Sequence, residues 1–403
     1  MSRRKRILFF AEPATLAHVM RPVTMAKALP PEVYEVSLAT GRDYRRFVES
    51  EGLALRDLAA IGTQAYLAAV AAGRVVFPLP VLDAYVHEDL RHIDAFRPDL
   101  VVGDFRLSLA VSARIAKIPY IALSNAYWSP CTRVRYSIPV HPATKRFGPA
   151  VPNALFRLLH PLILAHHSLP MHRLRKRYGM PSLGLDLRAV FTESDVTAFA
   201  DVPALVPDAD CGDSRRYRYI GPVLWSPRIA LPPALNEDPN SRSWVYVSMG
   251  SSGDPHLVPA ILASLAKLGC RVVVATAGAV PPGAIPPGFV AADFLAGDEV
   301  AARAGLVICN GGSPSTGQAL AHGAPVLGIP ANLDQLLNMH FVEQSGAGVA
   351  LRADRLTGKR VEEAVRRMLR TASFSENAKR IASAFREYQA PERFASIVRE
   401  LMR

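Results

Sequence analysis

The sequence predicts an α/β protein with two Rossmann-like domains. Three observations predict this fold class: the chain length, an alternation of short apolar segments with amphipathic ones, and a break in that alternation past the middle. The chain has 403 residues, about two to three times the length of a typical single domain. It is 50% hydrophobic and 20% charged, which is the balance of a globular protein. We therefore expect two folded domains joined by a linker.

The first half of the chain alternates between strand and helix patterns. RILFFAE, YEVSLAT, DLVVGDF and PYIALSN are short and apolar, whereas VMRPVTMAKAL, YRRFVESEG and LAVSARIAK have helical spacing. Apolar strands separated by amphipathic helices indicate a parallel sheet covered on both faces. We predict one Rossmann-like domain over residues 1–220.

A linker precedes a second run of the same alternation. Residues 221–243 are rich in proline and polar residues and lack periodicity, as linkers do. The alternation resumes with SWVYVSMG and HLVPAILASLAKLG and continues through LVICNGG, APVLGIP and GVALR to the helix VEEAVRRMLR. We predict a second Rossmann-like domain over 244–375, a helical tail over 376–403, and a ligand in the cleft between the carboxyl ends of the two sheets.

The N-terminal segment and the cysteines indicate in which cellular compartment the protein is expected. MSRRKRILFFAEPATLAH has a basic head, but Glu12 and Pro13 interrupt the apolar run, so a core strand fits better than a signal peptide. No run reaches the roughly 18 apolar residues of a membrane-spanning helix. Four cysteines stand far apart without metal-like spacing. These features predict a reduced, cytoplasmic and metal-independent protein.

The net charge of +12 is concentrated in one region. Residues 105–185 contain no aspartate or glutamate, and basic residues interleaved with apolar ones accumulate over 133–177. Such a surface could contact an anionic membrane or an anionic acceptor. The alternative is a solvated basic face over an ordinary core helix. Nucleic acid is a weaker option because no nucleic-acid-binding motif accompanies the charge.

The segment CNGGSPSTGQALAHG has the features of an anion-binding turn. A strand is expected to end near Cys309, and Gly311 and Gly312 let a ligand approach the backbone closely. Ser313 is expected as the N-cap of a helix, with Pro314 in its first position. Free N–H groups at a helix N-terminus favour a phosphate. A purely structural strand, turn and helix would use the same residues.

Asp334 and Gln335 are expected at the carboxyl end of the next strand, APVLGIP, on the same rim as the Gly-Gly turn. A carboxylate beside an amide is suited to gripping adjacent sugar hydroxyls. The alternative is that Asp334 caps the helix that follows.

These motifs together resemble the donor-binding signature of family 1 nucleotide-sugar glycosyltransferases, the UDP-glycosyltransferase and macrolide glycosyltransferase type, which have the GT-B architecture of two Rossmann-like domains facing across a cleft. VYVSMGSSG resembles the first strand and loop of the donor domain, and YIGPV resembles the interdomain segment. The resemblance spans nearly the whole chain and is strongest over 244–352. The signature residues are Gly311, Gly312, Ala319, Leu320, Gly323, Pro325, Ile329, Pro330, Asp334, Gln335, Asn338, Val342, Glu343, Gly346 and Gly348.

The resemblance implies an acceptor-binding first domain, a donor-binding second domain and a tail that crosses back to the first. It implies a nucleotide-sugar co-substrate, with no other cofactor and no metal. The acceptor would be a small hydrophobic natural product or a lipid-linked molecule, and the protein would be cytoplasmic or peripheral at the inner membrane face. The implied donor-binding residues are Ser248, Gly250, Ser251, Leu295, Asn310, Gly311, Gly312, Ser313, Ser315, Gln318, Asp334 and Gln335.

The resemblance also implies a catalytic His-Asp pair. His18, in ATLAHVMRP, matches the family's catalytic histidine, although Ala17 replaces the usual preceding glycine. Asp104, in LVVGDFRLS, matches the acidic partner that orients the imidazole. Alternatively, His18 is structural and Asp104 is a strand-end or capping residue. The implied reaction inverts the anomeric carbon, with His18 as general base.

The donor turn departs from the family pattern at three positions. Asn310 replaces the histidine before the glycines, Pro314-Ser315 replaces Gly-Thr, and Gln318 replaces the acidic ribose ligand. Pro314 removes one N–H from the turn. The sequence therefore leaves two hypotheses: an active transferase with an altered nucleotide site, or a catalytically silent GT-B protein that is an accessory partner of another transferase.

Overall fold

The computed structural model describes residues 3–236 and 242–403. The chain divides into two compact units. Unit 1 comprises residues 1–133, 158–223 and 388–403, and unit 2 comprises 134–157 and 224–387. Part of the predicted linker, residues 237–241, lies outside the described residues.

Each unit contains one parallel sheet. The strands of unit 1 are β1 (Lys5–Ala11), β2 (Tyr34–Thr40), β3 (Ala54–Asp57), β4 (Leu100–Asp104), β5 (Tyr120–Ser124), β6 (Val196–Phe199) and β7 (Tyr217–Tyr219). Those of unit 2 are β8 (Trp244–Ser248), β9 (Arg271–Ala275), β10 (Val290–Ala292), β11 (Ala304–Cys309), β12 (Val326–Gly328) and β13 (Gly348–Ala350).

Helices connect the strands. They are α1 (Leu16–Lys27), α2 (Arg45–Glu49), α3 (Thr63–Ala71), α4 (Leu79–Phe96), α5 (Leu109–Ala116), α6 (Pro142–Phe147), α7 (Ala150–Arg177), α8 (Leu187–Phe191), α9 (Val258–Lys267), α10 (Gly297–Ala302), α11 (Ser313–Ala321), α12 (Leu333–Gln344), α13 (Gly358–Arg370), α14 (Ala372–Arg386) and α15 (Ala390–Leu401). None of the helices in the described part of the chain combines the length and apolarity that a membrane crossing requires.

The strand orders place the functional loops. The first sheet runs β3-β2-β1-β4-β5-β6-β7, and the second runs β10-β9-β8-β11-β12-β13. All pairings are parallel, and Ala11 pairs with Asp104 while Ser248 pairs with Cys309. The strand order reverses beside β1 in one sheet and beside β8 in the other, and ligands bind at the carboxyl ends of strands at such points. The predicted fold class of two parallel α/β domains is confirmed.

The core of each unit lies on its sheet. In unit 1, Leu8, Phe10 and Val101 pack with Ile93 and Leu109. In unit 2, strand residues of β8, β9 and β11 pack with α9 and α13. These are the apolar segments that the alternation picks out, and burying them on both faces of a sheet supplies the main driving force for folding.

The unit boundaries differ from the predicted domains at two places. Residues 134–157, predicted within the first domain, belong to unit 2. There, the Val140 N–H donates to the Ala331 carbonyl at 2.7 Å, and Arg352 Nη1 donates to the Ile138 carbonyl at 2.6 Å. The predicted tail over 376–403 is also divided, because residues 376–387 belong to unit 2 and 388–403 to unit 1.

The last helix packs on the first sheet. The Phe394 ring lies 6.0 Å from that of Phe9 in β1. Gly221, at φ 98°, lets Tyr388 pass close to the chain, since a Cβ there would lie 2.5 Å from the Tyr388 Cβ. A side chain at this position would displace the start of α15.

Candidate functional site

The structure brings His18 and Asp104 together. His18 lies in the first turn of α1, which begins at Leu16, before the start expected from the sequence. Asp104 is the last residue of β4, the neighbour of β1. His18 Nδ1 lies 2.8 Å from Asp104 Oδ1, and the His18 side chain is 21% exposed while that of Asp104 is 0% exposed. A buried carboxylate thus orients a ring that a ligand can reach.

Arg21 also binds Asp104, which the sequence did not lead us to expect. It lies one turn after His18 on α1, and its Nε and Nη2 donate to Asp104 Oδ2 and Oδ1 at 2.5 and 2.9 Å. Burial alone would raise the pKa of Asp104, but the Arg21 guanidinium and the His18 hydrogen bond lower the pKa below its usual value. The available signal was the spacing of His and Arg along one helix face.

Phe105 covers one face of the His18 ring. The two ring centroids are 4.7 Å apart and the planes differ by 13°. Phe105 has φ 57°, a left-handed conformation that costs a phenylalanine of order 1 kcal/mol or more. The imidazole is therefore held at its edge by Asp104 and at its face by Phe105.

A buried charge cluster anchors the residue after Phe105. Arg106 is 1% exposed, donates to Glu12 Oε2 and Asp89 Oδ1 at 2.9 Å each, and lies over the Tyr85 ring. Burial, opposed by Arg106, raises the pKa values of Glu12 and Asp89. Arg106 is thus fixed on one side of Phe105, as Asp104 is on the other.

Phe105 also lines an apolar cavity of unit 1. The cavity is lined by apolar side chains and opens to solvent, with about 410 Å³ of empty space when its open mouth is included. Phe191 and Phe77 pack edge-on against Phe105, with centroids 5.5 and 5.4 Å away. The other lining residues are Val75, Val76, Leu82, Leu107, His167, Pro170, Met171, Leu187 and Val190.

The Gly-Gly turn of unit 2 is tied internally by Asn310. Asn310 Oδ1 accepts from the Gly312 N–H, and Asn310 Nδ2 donates to Ser252 Oγ, both at 3.0 Å. Gly311 has φ 81°, and a Cβ there would lie 2.6 Å from Met339. Asn310 therefore joins the loop after β11 to the loop after β8.

Helix α11 begins one residue earlier than expected. Its N-cap is Gly312, so the prediction of Ser313 as N-cap is wrong, and Pro314 is the second residue of the helix. Gly312, the N-cap, has no side chain that could accept a hydrogen bond from the first turn.

Helix α12 is capped by Asn332 rather than Asp334. Asn332 Oδ1 accepts from the Gln335 N–H at 3.0 Å, while Gln335 Oε1 accepts from the Ala331 N–H at 2.9 Å. The alternative that Asp334 caps this helix is therefore wrong. Asp334 lies half-buried in the first turn, whereas Gln335 is 1% exposed and also donates to the Ser252 carbonyl.

The remaining donor-site candidates lie around the same strand ends. Ser248 ends β8, and Gly250 and Ser251 follow in the loop that leads to Ser252. Ser315 lies in the first turn of α11, and Leu295 is buried just before α10. Gln318 Nε2 donates to the Trp225 carbonyl at 2.6 Å. Gln318 is thus engaged with the segment that follows the unit boundary.

The cysteines differ from expectation. Cys131 and Cys211 form a disulfide across a sequence separation of 80 residues, and Cys270 and Cys309 are free. The prediction of a fully reduced protein is therefore wrong, because the adjacent strands β5 and β6 bring the loops that follow them together. Within residues 3–236 and 242–403, no three His, Cys, Asp or Glu side chains are grouped as a metal site would need.

Comparisons with known proteins agree with this architecture. Residues 259–401 match the family model of the erythromycin biosynthesis protein CIII-like C-terminal domain. A PGL/p-HBAD biosynthesis glycosyltransferase of Mycobacterium tuberculosis (strain ATCC 25177 / H37Ra) is 44% identical over 96% of this chain and 90% of its own. A PGL/p-HBAD biosynthesis rhamnosyltransferase of Mycobacterium bovis (strain BCG / Pasteur 1173P2) is 42% identical over 95% and 85%.

Another relative has a different description. An inactive PGL/p-HBAD biosynthesis glycosyltransferase of the same M. bovis strain is 41% identical over 66% of this chain and 72% of its own. It covers a smaller share of this chain than the two relatives described above.

Solved structures share the fold. The glycosyltransferase of kitacinnamycin has a TM-score of 0.72 at 20% identity and covers 99% of this chain and 100% of its own. The Streptomyces sp. SF2575 glycosyltransferase SsfS6, complexed with thymidine diphosphate, has a TM-score of 0.70 at 19% identity over 98% and 100%.

The fold and the matched relatives define a GT-B glycosyltransferase. The chain belongs to the family 1 macrolide-type glycosyltransferases, together with the PGL/p-HBAD biosynthesis enzymes. The predictions of family, GT-B fold and glycosyltransferase activity are confirmed.

Proposed function

We propose that the protein transfers a sugar from a nucleoside diphosphate donor to a hydroxyl of a hydrophobic acceptor, with inversion and with His18 as general base. The observation that carries this proposal is the His18–Asp104 pair, 2.8 Å apart. His18 stacks on Phe105, which also lines the apolar cavity. An acceptor in that cavity would place its hydroxyl beside a base of suitable orientation.

The reaction is a direct displacement. The acceptor oxygen forms a bond to the anomeric carbon, the bond from that carbon to the diphosphate oxygen breaks, and the acceptor proton moves to His18. The electron pair of the broken bond leaves with the diphosphate, whose growing charge backbone N–H groups and hydroxyls can stabilise. Candidates for this role are Ser251, Gly312, Ser313 and Ser315.

The donor is a dTDP- or UDP-sugar, held by the loops after β8 and β11, with Asp334 as a ligand of the sugar hydroxyls. We propose dTDP-rhamnose as the first donor to test, since one relative is described as a rhamnosyltransferase and one structural neighbour holds thymidine diphosphate. The buried Gln335 supports the loop from within, through Ser252 and Ala331.

A transfer assay with a panel of dTDP- and UDP-sugars tests this function. We expect acceptor-dependent nucleotide release that falls by about 10²-fold or more in His18→Ala, whereas His172→Ala, an exposed histidine variant outside the site, retains it. Silence of the wild-type protein with every donor and acceptor would favour the catalytically silent, accessory function.

We further propose that the acceptor is lipid-linked and that α7 contacts an anionic membrane. Leu158 and Leu162 lie one helical turn apart in α7 and are 75 and 69% exposed. We call these two residues the α7 face. Apolar side chains beside basic ones, without acidic neighbours over 105–185, are typical of helices that lie in a membrane interface.

Vesicle sedimentation tests the membrane contact. We expect salt-sensitive binding to phosphatidylglycerol vesicles and little binding to phosphatidylcholine ones. Leu158→Glu/Leu162→Glu should abolish binding, whereas Val33→Glu, which changes an exposed valine outside α7, should not. Equal binding by the double variant would exclude the α7 face as the contact.

A further inference from the structure

A chain of buried polar side chains continues from His18 across three strand ends of unit 1. Asp104 ends β4, Asn125 follows β5 and Asp201 follows β6, and Arg21 reaches between them from α1. Arg21 Nη1 donates to Asn125 Oδ1 at 2.9 Å, and Asn125 Nδ2 donates to Asp201 Oδ2 at 3.1 Å. Arg21, Asn125 and Asp201 are 8, 7 and 4% exposed. Their burial means that these groups interact with each other rather than with water.

We propose that Arg21 is a positioning residue for sugar transfer: it locks the Asp104 carboxylate so that one of its oxygens fixes the orientation and tautomer of His18. The inference rests on the proposed role of His18 as the base, and it adds a residue to the pair that the family resemblance implies.

The geometry of Arg21 restrains the carboxylate in its plane. Nε and Nη2 contact different oxygens of Asp104 at 2.5 and 2.9 Å, the two-point arrangement that a planar guanidinium forms with a carboxylate. Rotation of the carboxylate would break both contacts. Because Oδ1 also lies 2.8 Å from His18 Nδ1, fixing the carboxylate fixes the position of the imidazole edge.

The remaining nitrogen of the Arg21 guanidinium, Nη1, is also hydrogen-bonded, and this contact restrains the position of the guanidinium. Asn125 holds Nη1, and Asp201 holds Asn125 while also accepting from the Ala126 N–H at 2.7 Å. The Asp104 carboxylate is therefore tied, through Arg21, to the backbone after β5. Residues at the ends of β4, β5 and β6 therefore all contribute to the orientation of the His18 ring.

The contact between Arg21 and Asp104 also determines which nitrogen of the His18 ring carries the proton. An arginine cannot give up its proton in a protein, so Asp104 beside Arg21 stays ionised and accepts only. The ionised Asp104 accepts a hydrogen bond from His18 Nδ1–H, so the neutral ring carries its free lone pair on Nε2. During transfer the acceptor proton moves to Nε2 and the Nδ1 proton stays on the ring, and the imidazolium then releases one proton to solvent.

Two measurements test the inference. The first is steady-state kinetics of Arg21→Lys, whose ammonium cannot form the two-point contact. We expect kcat to fall by about 10- to 100-fold, while KM for donor and acceptor changes by less than about threefold, because misorientation of the base affects the reacting geometry rather than binding. Arg114→Lys, which alters another arginine–aspartate pair of unit 1, should keep the wild-type kcat.

The second measurement reads the His18 ring directly. In the protein labelled with ¹⁵N at histidine rings, the His18 signals are those absent from His18→Gln. We expect a fixed Nδ1–H tautomer in the wild type and a mixture of tautomers in Arg21→Lys and in Asn125→Ala, a milder variant that is the fallback if Arg21→Lys fails to fold. A wild-type tautomer in both the Arg21 and the Asn125 variants would overturn the inference.

The two measurements separate this inference from the proposed function. If His18→Ala retained transfer activity, the role of His18 as base would fail, yet the tautomer would still report whether Arg21 orients the ring. If the tautomer stayed fixed in both variants while His18→Ala was inactive, the proposed function would stand and the role of Arg21 would be rejected.

Discussion

Phe105 shows how single residues create the site. Its backbone has φ 57°, and the strain persists because Asp104 is held by Arg21 on one side and Arg106 by Glu12 and Asp89 on the other. Strain of this kind is found where the surrounding structure over-determines a residue. In this conformation the Phe105 ring contacts the His18 imidazole and also lines the apolar cavity.

We expect Arg106→Met to destabilise unit 1 by about 3 to 5 kcal/mol at neutral pH, since it leaves two buried carboxylates without their cation. Burial raises the pKa values of Glu12 and Asp89, so the folded variant binds protons more readily than the unfolded chain. Its stability therefore falls as pH rises above the unfolded carboxyl pKa of about 4. Urea unfolding at pH 5 and pH 8 should show the smaller loss at pH 5.

Arg3→Met provides the comparison, because Arg3 pairs with Asp99 while 64% exposed. An exposed pair contributes about 1 kcal/mol or less. Equal losses for Arg106→Met and Arg3→Met would show that the buried cluster does not stabilise the fold.

The sequence predicted part of the site at this scale. His18 and Asp104 follow strands that the apolar pattern identifies, and loops after adjacent parallel strands meet at one edge of a sheet. Arg21, Asn125 and Asp201 could not be predicted, because arginine, asparagine and aspartate near strand ends are common and only the side-chain geometry shows that they form one chain of contacts.

Helices and loops were harder to predict than single residues. Helical spacing shows which face of a segment is apolar, but it does not show which sheet that face covers. Residues 134–157 therefore looked like part of the first domain, although their hydrogen bonds to Ala331 and Arg352 place them in unit 2. The start of α11 at Ser313 likewise depended on backbone geometry that residue preferences describe only within one or two positions.

Pro314 lies at the end of α11 that we propose binds the donor diphosphate. It is the second helical residue and has no N–H to offer a phosphate. We expect Pro314→Ala to restore one donor and to tighten binding of thymidine or uridine diphosphate by about tenfold, since a hydrogen bond to a charged group contributes about 1.5 to 3 kcal/mol. Titration calorimetry measures this. Pro255→Ala, at the start of a short helix after β8, is the control, and unchanged affinity in Pro314→Ala would place the diphosphate elsewhere.

The disulfide joins the loops after β5 and β6. By the chain-entropy model, closing a loop of 80 residues stabilises the fold by about 4.5 kcal/mol. We expect Cys131→Ser/Cys211→Ser to lower the thermal midpoint, and a reductant to lower it for the wild type but not for the double variant. Cys270→Ser, which removes a free thiol, should leave the reductant effect intact. Four titratable thiols in the unreduced, unfolded wild type would contradict the disulfide.

At the scale of the whole molecule, the order of the sequence does not follow the two units. The chain passes from one unit to the other at residues 133/134, 157/158, 223/224 and 387/388. The length and the repeated alternation predicted two α/β domains correctly, because each sheet needs its own run of apolar strands. The crossings at 157/158 and 387/388 occur in or next to helices, and the sequence does not show which sheet those helices pack against.

The chain crosses from unit 2 to unit 1 for the last time at residues 387/388. Helix α15 therefore follows unit 2 in sequence but packs in the core of unit 1. Phe394 is 0% exposed and packs near Phe9, whereas Phe374 of α14 is 7% exposed in the core of unit 2. Truncating a buried phenylalanine costs about 3 to 5 kcal/mol. Hydrogen exchange should therefore quicken in peptides covering β1 in Phe394→Ala and in peptides covering β8 in Phe374→Ala, with little change in the other sheet. Faster exchange of β8 but not β1 in Phe394→Ala would mean that α15 stabilises unit 2 instead, and that the end of the chain does not help to hold the sheet that carries Asp104.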